Sequence, residues 1–463
     1  MKKMSEINDL TRGGVGKSVW SMAIPLITAS FIQMAYSLTD MFWVGRLGSE
    51  SVAAVGAAAF FLWLCNSLSM ICKVGVEVAV SQSLGARQPL RARVYANQAA
   101  LLASILAFLY AAFIWLMADH LISLFHLETS ISGRSATYLR TTVPGLFFLF
   151  HNNVFSGIYN GQGNSKTPFK ILSAGFICNI IFDPLFIYGA GVIPPLGVTG
   201  AALATVLSQC VVFVIFAYNL YYKRSPLGKL RLVGRLRRRF TARVATLGFP
   251  VSLQNGLFAL FSLALATLAA RWGHVGLAVQ SIGAQVEALT WMTAAGFSTA
   301  LAAFVGQNFG ARDFERIRRG YRYTLKLAGS VSLVATIAFF FFGRPIFSLF
   351  VREPGTVEAG NDYLRILALS QIFSAFESVT AGAFNGLGRT IPPAITGIFL
   401  TGARVPLAYY LITLPFLGLN GVWWSITLSS ILKGAVLMTW YRYFQRKKLP
   451  RAPRQSRPGK IIS

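Results

Sequence analysis

The chain has 463 residues, 54% of them apolar and 13% charged, and 43 Lys and Arg against 15 Asp and Glu give a formal charge of +28. So little charge spread among long apolar stretches excludes an ordinary soluble globular protein and identifies a membrane protein. The basic excess does not point to nucleic acid, because it falls in alternate loops, about 33 residues on one side of the membrane and about 7 on the other, a positive-inside pattern.

Taken in chain order, twelve spans are predicted: 18–45, 52–83, 95–117, 136–160, 169–190 and 197–221, then 245–271, 277–305, 322–343, 358–385, 391–413 and 419–441. Each is long enough to cross about 30 Å of hydrocarbon at about 1.5 Å per residue, and few have the polar face of a soluble helix. The first span is too long for a signal-peptide core and runs on into Asp40 and a second span, so no cleaved leader is expected. An even number of spans with basic inner loops places both termini in the cytoplasm of a multi-pass protein of the cell (inner) membrane. The basic run from Lys223 to Arg243 is read as a topology determinant that touches anionic headgroups.

The spans repeat. Phe155-Ser-Gly-Ile-Tyr-Asn-Gly-Gln-Gly163 returns in outline as Thr380-Ala-Gly-Ala-Phe-Asn-Gly-Leu-Gly388, a shift of 225 residues. The same shift carries Ala23-Ile-Pro25 onto Gly248-Phe-Pro250, Leu84-Gly-Ala-Arg87 onto Phe309-Gly-Ala-Arg312, and Ser123-Leu-Phe125 onto Ser348-Leu-Phe350. The expected fold is therefore all-α, with twelve transmembrane helices in two homologous six-helix lobes. The divisions are an N-lobe over 1–222, a basic linker over 223–244, a C-lobe over 245–441 and a basic tail over 442–463.

An ionisable side chain inside hydrocarbon is costly unless it faces a cavity or a partner. Asp40, Lys73, Glu77, His151, Asp183, Glu287, Glu377, Arg404 and Lys433 all fall inside spans. Asp40, Asp183 and Thr205 sit about 8, 10 and 12 Å from the outer ends of the first, fifth and sixth helices, so three helices offer oxygen at one level. Tyr36 with Asp40, and Asn179 with Asp183, are spaced i,i+4 and share a helix face. Two carboxylates, an amide oxygen and a hydroxyl suit a hard monovalent cation such as Na+ or an exchangeable proton. Separate hydrogen bonds from Asp40 and Asp183 to neighbouring helices are the competing reading.

The second half lacks this chemistry. Asp40 becomes Leu265 at the 225 shift, and alignment on Pro184 and Pro406 puts Val405 at the place of Asp183. Ion coupling is thus expected in the N-lobe, with the C-lobe mainly lining a cavity. Glu287 is read as a cavity group or a partner of Arg404, Glu377 as a second cation-facing group, and His151 with Asn152 and Asn153 as a polar cluster for cavity lining or interhelix bonding. Lys73 and Glu77 read as an intrahelical ion pair, and Lys433 as a snorkelling or packing side chain. Pro25 and Pro250 mark matching bends in helices one and seven, and Pro25 is a candidate hinge coupled to Asp40, against a plain packing kink. Cys65, Cys72, Cys178 and Cys210 all lie in spans and read as packing residues, and the four His have no metal-ligand spacing.

With these residues in order, the chain resembles the multidrug and toxic compound extrusion (MATE) family from about Lys17 to Arg442. The resemblance is carried by Ala23-Ile-Pro-Leu26, Thr39-Asp-Met-Phe-Trp-Val-Gly-Arg46, Ser81-Gln-Ser-Leu-Gly-Ala86, Gly161-Gln-Gly163, Asn179-Ile-Ile-Phe-Asp-Pro184 and Gly200-Ala-Ala-Leu-Ala-Thr205. It implies a polyspecific exporter of organic cations or amphiphiles, driven by inward Na+ or H+, with a V-shaped cavity between two lobes. It also implies that Asp40, Asn179, Asp183 and Thr205 form the N-lobe ion site found in DinF-like and archaeal-type members. Tyr36 and Asn153 would line the same cavity. Other branches carry an acidic residue in helix seven, where this chain has Gln254-Asn255, so the departure favours N-lobe coupling.

A flippase for lipid-linked saccharides, kept open by Arg404 and Lys73, and a dedicated exporter of one metabolite are the alternatives. No selectivity-filter loop and no nucleophile with its base is visible, so neither a channel nor an enzyme is expected. The expected partners are small organic cations or amphiphiles and membrane lipid, without nucleic acid. The protein is expected to work as a monomer with no cofactor beyond its coupling ion.

Overall fold

The computed structural model describes residues 8–221, 227, 230 and 234–448, and among these the only strand-like feature is an isolated bridge between Ala190 and Ile193. The first half builds α1 (Val15–Gly45), α2 (Ser49–Gly85), α3 (Pro89–Ser123), α4 (Thr129–Gly161), α5 (Lys166–Tyr188) and α6 (Gly197–Tyr221). The second builds α7 (Arg238–Ala269), α8 (Gly273–Gly310), α9 (Phe314–Phe341), α10 (Gly343–Ser348), α11 (Pro354–Ala368), α12 (Gln371–Gly386), α13 (Ile391–Gly402), α14 (Arg404–Leu411) and α15 (Asn420–Lys448). Helices α1 to α9 make nine crossings, α11 with α12 the tenth, α13 with α14 the eleventh, and α15 the twelfth. On hydropathy α4 falls short of a spanning helix because it carries Arg134, Arg140, His151, Asn152 and Asn153, yet its 33 residues cover the full depth.

Two predicted spans are broken. The tenth bends by 49° between α11 and α12. A break inside hydrocarbon frees backbone carbonyls that need donors. Here Thr427 Oγ1 donates to Ile366 O at 2.9 Å, and Thr336 Oγ1 to Ala368 O at 3.2 Å. In the eleventh, Pro406 has no N–H to give to the carbonyl four residues back, and the helix is interrupted at Ala403. The expected linker and tail are shorter than read, because α7 already begins at Arg238 and α15 continues to Lys448. The rest of the linker, apart from 227, 230 and 234–237, and the tail beyond 448 lie outside the described residues.

Six crossings per half give both lobes the same orientation, so a pseudo-twofold axis runs along the membrane normal. Each lobe's first helix leans on the other lobe: α1 packs on α8 and α9, and α7 on α2 and α3. The lobes meet most closely at the end of the bundle where α1 and α7 begin and α2 and α8 finish. There a Cβ on Gly85 would overlap the Gln307 carbonyl, and one on Gly310 would overlap the Gln82 carbonyl, so only glycine permits this approach. Further along, no side chain of α1 between Pro25 and Val44, and none of α7 between Ser252 and Leu265, is fully buried.

Candidate ion-coupling site and central cavity

The site builds on α5. Asn179 and Asp183 lie one turn apart, both fully buried, and Asn179 Nδ2 donates to Asp183 Oδ1 at 3.0 Å. Tyr36 and Asp40 on α1 face this pair, with the Tyr36 hydroxyl beside Thr205 of α6 and within electrostatic reach of both aspartates. Three buried oxygens here have no hydrogen-bond partner, Asp40 Oδ1, Asn179 Oδ1 and Asp183 Oδ2, while Tyr36 Oη meets Thr205. Buried polar atoms are nearly always paired, because an unmet one costs about 1–3 kcal/mol. Three orphans on facing helices are chemically suited to a cation or a proton. The donor set is all oxygen, the preference of a hard ion.

One member escapes sequence reasoning. Tyr138 of α4 is buried and stands within electrostatic reach of Tyr36, Asp40 and Asp183. The 225 shift carries Tyr138 onto Tyr363, itself buried beside Glu287. That coincidence was the available signal.

The remaining candidates divide. Asn153 Nδ2 donates to Ser69 Oγ at 2.7 Å and to Asn66 Oδ1 at 3.2 Å, tying α4 to α2. His151 does not line a cavity. It is fully buried, with Nε2 3.1 Å from Ser104 Oγ and Nδ1 2.8 Å from Phe147 O, and its ring packs on Phe147 and Phe213. Glu377 is not a free cation-facing group, because Lys433 Nζ lies 3.0 Å from its Oε2. The same contact corrects the reading of Lys433 as a snorkelling side chain. Asn152, which the repeat aligns with Glu377, instead donates to Gln209 Oε1 at 2.9 Å. Glu287 and Arg404 share one neighbourhood without direct pairing. Arg404 gives Nε to Ser429 Oγ at 2.5 Å and Nη2 to Ser430 Oγ at 2.8 Å, while Tyr363 and Gln371 flank Glu287. Among the described residues Lys73 and Glu77 form no ion pair within 4.0 Å; buried Glu77 sits beside Asn160. No group of three or more His, Cys, Asp or Glu suited to a metal ion occurs among the described residues.

Comparison with known proteins bears on the family and the two-lobed fold. The MatE family model matches residues 25–185 and again 250–410, one match for each repeat. The chain is 27% identical over 433 residues, 92% of each protein, to the probable multidrug resistance protein NorM of Thermotoga maritima. It is 25% identical over 410 residues to an FAD transporter of Shewanella oneidensis, covering 88% of this chain and 90% of that one. A solved outward-facing multidrug resistance MATE transporter of the MOP superfamily superposes with a TM-score of 0.88 at 28% identity, over 94% of this chain and 97% of the other.

Proposed function

The chain belongs to the MATE family of membrane transporters, and on that premise we propose that it is a secondary antiporter exporting organic cations or amphiphilic drugs in exchange for inward H+ or Na+. The single observation that carries the antiport reading is the set of orphaned oxygens on Asp40, Asn179 and Asp183, with Tyr36 and Thr205 at its edge. Asp40 and Asp183 repel when both are charged, and a bound cation or proton removes that repulsion. Asp40 rides on α1, the N-lobe helix that leans on α8 and α9, so loading the site acts on the joint between the lobes. The end where α1 and α7 begin is read as cytoplasmic from its basic loops. With the lobes in contact there, the structure corresponds to an outward-facing state, and rocking of the lobes exposes the cavity to the opposite side.

The test is efflux of a fluorescent organic cation from proteoliposomes, under a Na+ gradient and a pH gradient imposed separately, with Asp40→Asn alongside. Efflux driven by one gradient and reduced at least tenfold in Asp40→Asn is expected, and the effective gradient identifies the ion. Absence of efflux under both gradients, with correctly folded protein, would refute the antiport reading. A second reading, export of an anionic nucleotide-like molecule, has the FAD transporter relative and the buried cations Arg404 and Lys433 in its favour. It predicts competition by nucleotides that organic cations do not relieve.

A further inference from the structure

At the closed end, two hydrogen bonds repeat across the pseudo-twofold axis. Gln82 of α2 donates from Nε2 to Gly386 O at 2.9 Å, and Gln307 of α8 donates from Nε2 to Gly161 O at 3.1 Å. Gln82 and Gln307 are 225 residues apart, as are Gly161 and Gly386. Each bond crosses between the lobes. Each acceptor is the last residue of its helix, whose carbonyl lacks an intrahelical partner. The glutamines sit where Gly85 and Gly310 allow α2 and α8 to touch the backbone of the opposite lobe. Packing alone would not place the same amide on the same orphan carbonyl twice.

Among the described residues, only the Gln307 half is reinforced on the glutamine itself. The residues ahead of α7 bond Gln98 of α3 instead, through Gln98 Nε2 to Arg235 O at 3.1 Å and Arg237 N to Gln98 Oε1 at 2.7 Å. Leu10 N donates to Gln307 Oε1 at 2.9 Å, so that side chain is held at both ends. Leu10 O accepts from Asn308 Nδ2 at 3.2 Å and from Arg316 Nε at 3.1 Å. Arg316 also donates to Gly13 O and Arg12 O, each at 2.8 Å. On the other lobe, Asn8 N donates to Gln162 O at 3.1 Å. The Leu10 side chain is 1% exposed and packs in the cluster that holds Met22 and Phe304. Residues 8–13 therefore form a strap from α4 to α8 and α9, laid over the Gln307 half.

We propose that Gln82 and Gln307 are the positioning residues that hold this end of the transport pathway shut, and that the 8–13 strap makes the Gln307 half the stronger of two latches. The inference rests on the alternating-access reading. Opening must break both amide bonds and expose two helix-end carbonyls, so the latch sets how often the closed end opens. It acts only on the balance between states and touches neither the ion site nor the substrate.

The test labels Leu90→Cys and Glu315→Cys, exposed positions at this end of α3 and α9 related by the repeat, in a protein whose four native cysteines are replaced. Pulsed spin-resonance distances are read in lipid nanodiscs without substrate. Gln82→Met keeps the side-chain length and removes the donor without adding a charge, so its effect cannot be laid to lost packing. It is expected to raise the open-to-closed ratio about tenfold, in line with one lost hydrogen bond. Gln307→Met should raise it further, because it also removes the oxygen that accepts from Leu10 N, so the strap loses that anchor as well. Arg316→Gln, with both glutamines intact, should recover only the difference between the two. Unchanged distances in both glutamine variants would overturn the latch, and equal shifts in the two would overturn the role of the strap. Distances that shift while the unmodified protein shows no gradient-driven efflux would keep the latch and refute the antiport reading.

Discussion

Glu377 and Lys433 illustrate how a lobe core tolerates charge. A buried pair contributes little net stability, but removing one partner strands the other at a cost of about 3–5 kcal/mol. Lys433→Met alone is therefore expected to lower the unfolding temperature in detergent clearly, whereas Lys433→Met combined with Glu377→Leu restores most of the loss. At the ion site, Tyr138→Phe should weaken ion-driven efflux without changing thermal stability, which a transport assay beside a melting curve checks. Asp40, Asn179 and Asp183 were legible in sequence because a carboxylate in an apolar span is rare and i,i+4 spacing is unambiguous. Tyr138 was not, being one of 16 tyrosines in an aromatic-rich chain, and its role depends on which way α4 faces. Likewise, nothing local distinguishes a lysine that snorkels from one that meets Glu377 on another helix.

Among the elements, α1 joins the candidate ion site to the joint with the C-lobe, and Pro25 lies between them, near where α1 stops being fully buried. Pro25→Ala restores a hydrogen-bonding amide and is expected to reduce transport several-fold while leaving equilibrium ion binding intact. Unchanged transport and ion dependence would reduce Pro25 to a packing kink. The elbow between α9 and α11 carries a pH dependence of its own. Glu353 precedes α11 at its N-cap position without a side-chain bond to the helix backbone, and its carboxyl is held below the usual carboxylate range by the Thr356 hydroxyl at 2.7 Å, then by His274. A carboxyl depressed by folding stabilises the elbow above its ordinary value and loses that contribution as pH falls through the depressed one. Hydrogen-exchange protection over residues 343–356, taken relative to the intrinsic rate at each pH, should thus fall in acid, and Glu353→Gln should flatten the response. The spans themselves were visible in apolar length, but the breaks at Leu369–Ser370 and Ala403 were not. Hydropathy is continuous through both, and the hydroxyls that satisfy the first come from α9 and α15.

Over the whole molecule, the repeat was the strongest signal in the sequence, because four matches at one offset fix the lobes, their common orientation and the axis between them. The offset could not show that the motifs Ser81-Gln-Ser-Leu-Gly-Ala86 and Gly161-Gln-Gly163 meet their counterparts across that axis. Such contacts join residues far apart in the chain, and their register is set only once both lobes are docked. The lobes also differ: the first carries Asp40 and Asp183 where the second has Leu265 and Val405, and the second holds cations engaged by serines and a glutamate.

The paired amides bear on ancestry. In a half-length ancestor acting as a homodimer, one glutamine codon would have supplied both bonds, so any change there would have struck both at once. Fusion into a single gene released the two copies from each other. One could then acquire a fastening from the residues ahead of α1, while the residues ahead of α7 came to bind Gln98 instead, a difference that no symmetric dimer can encode.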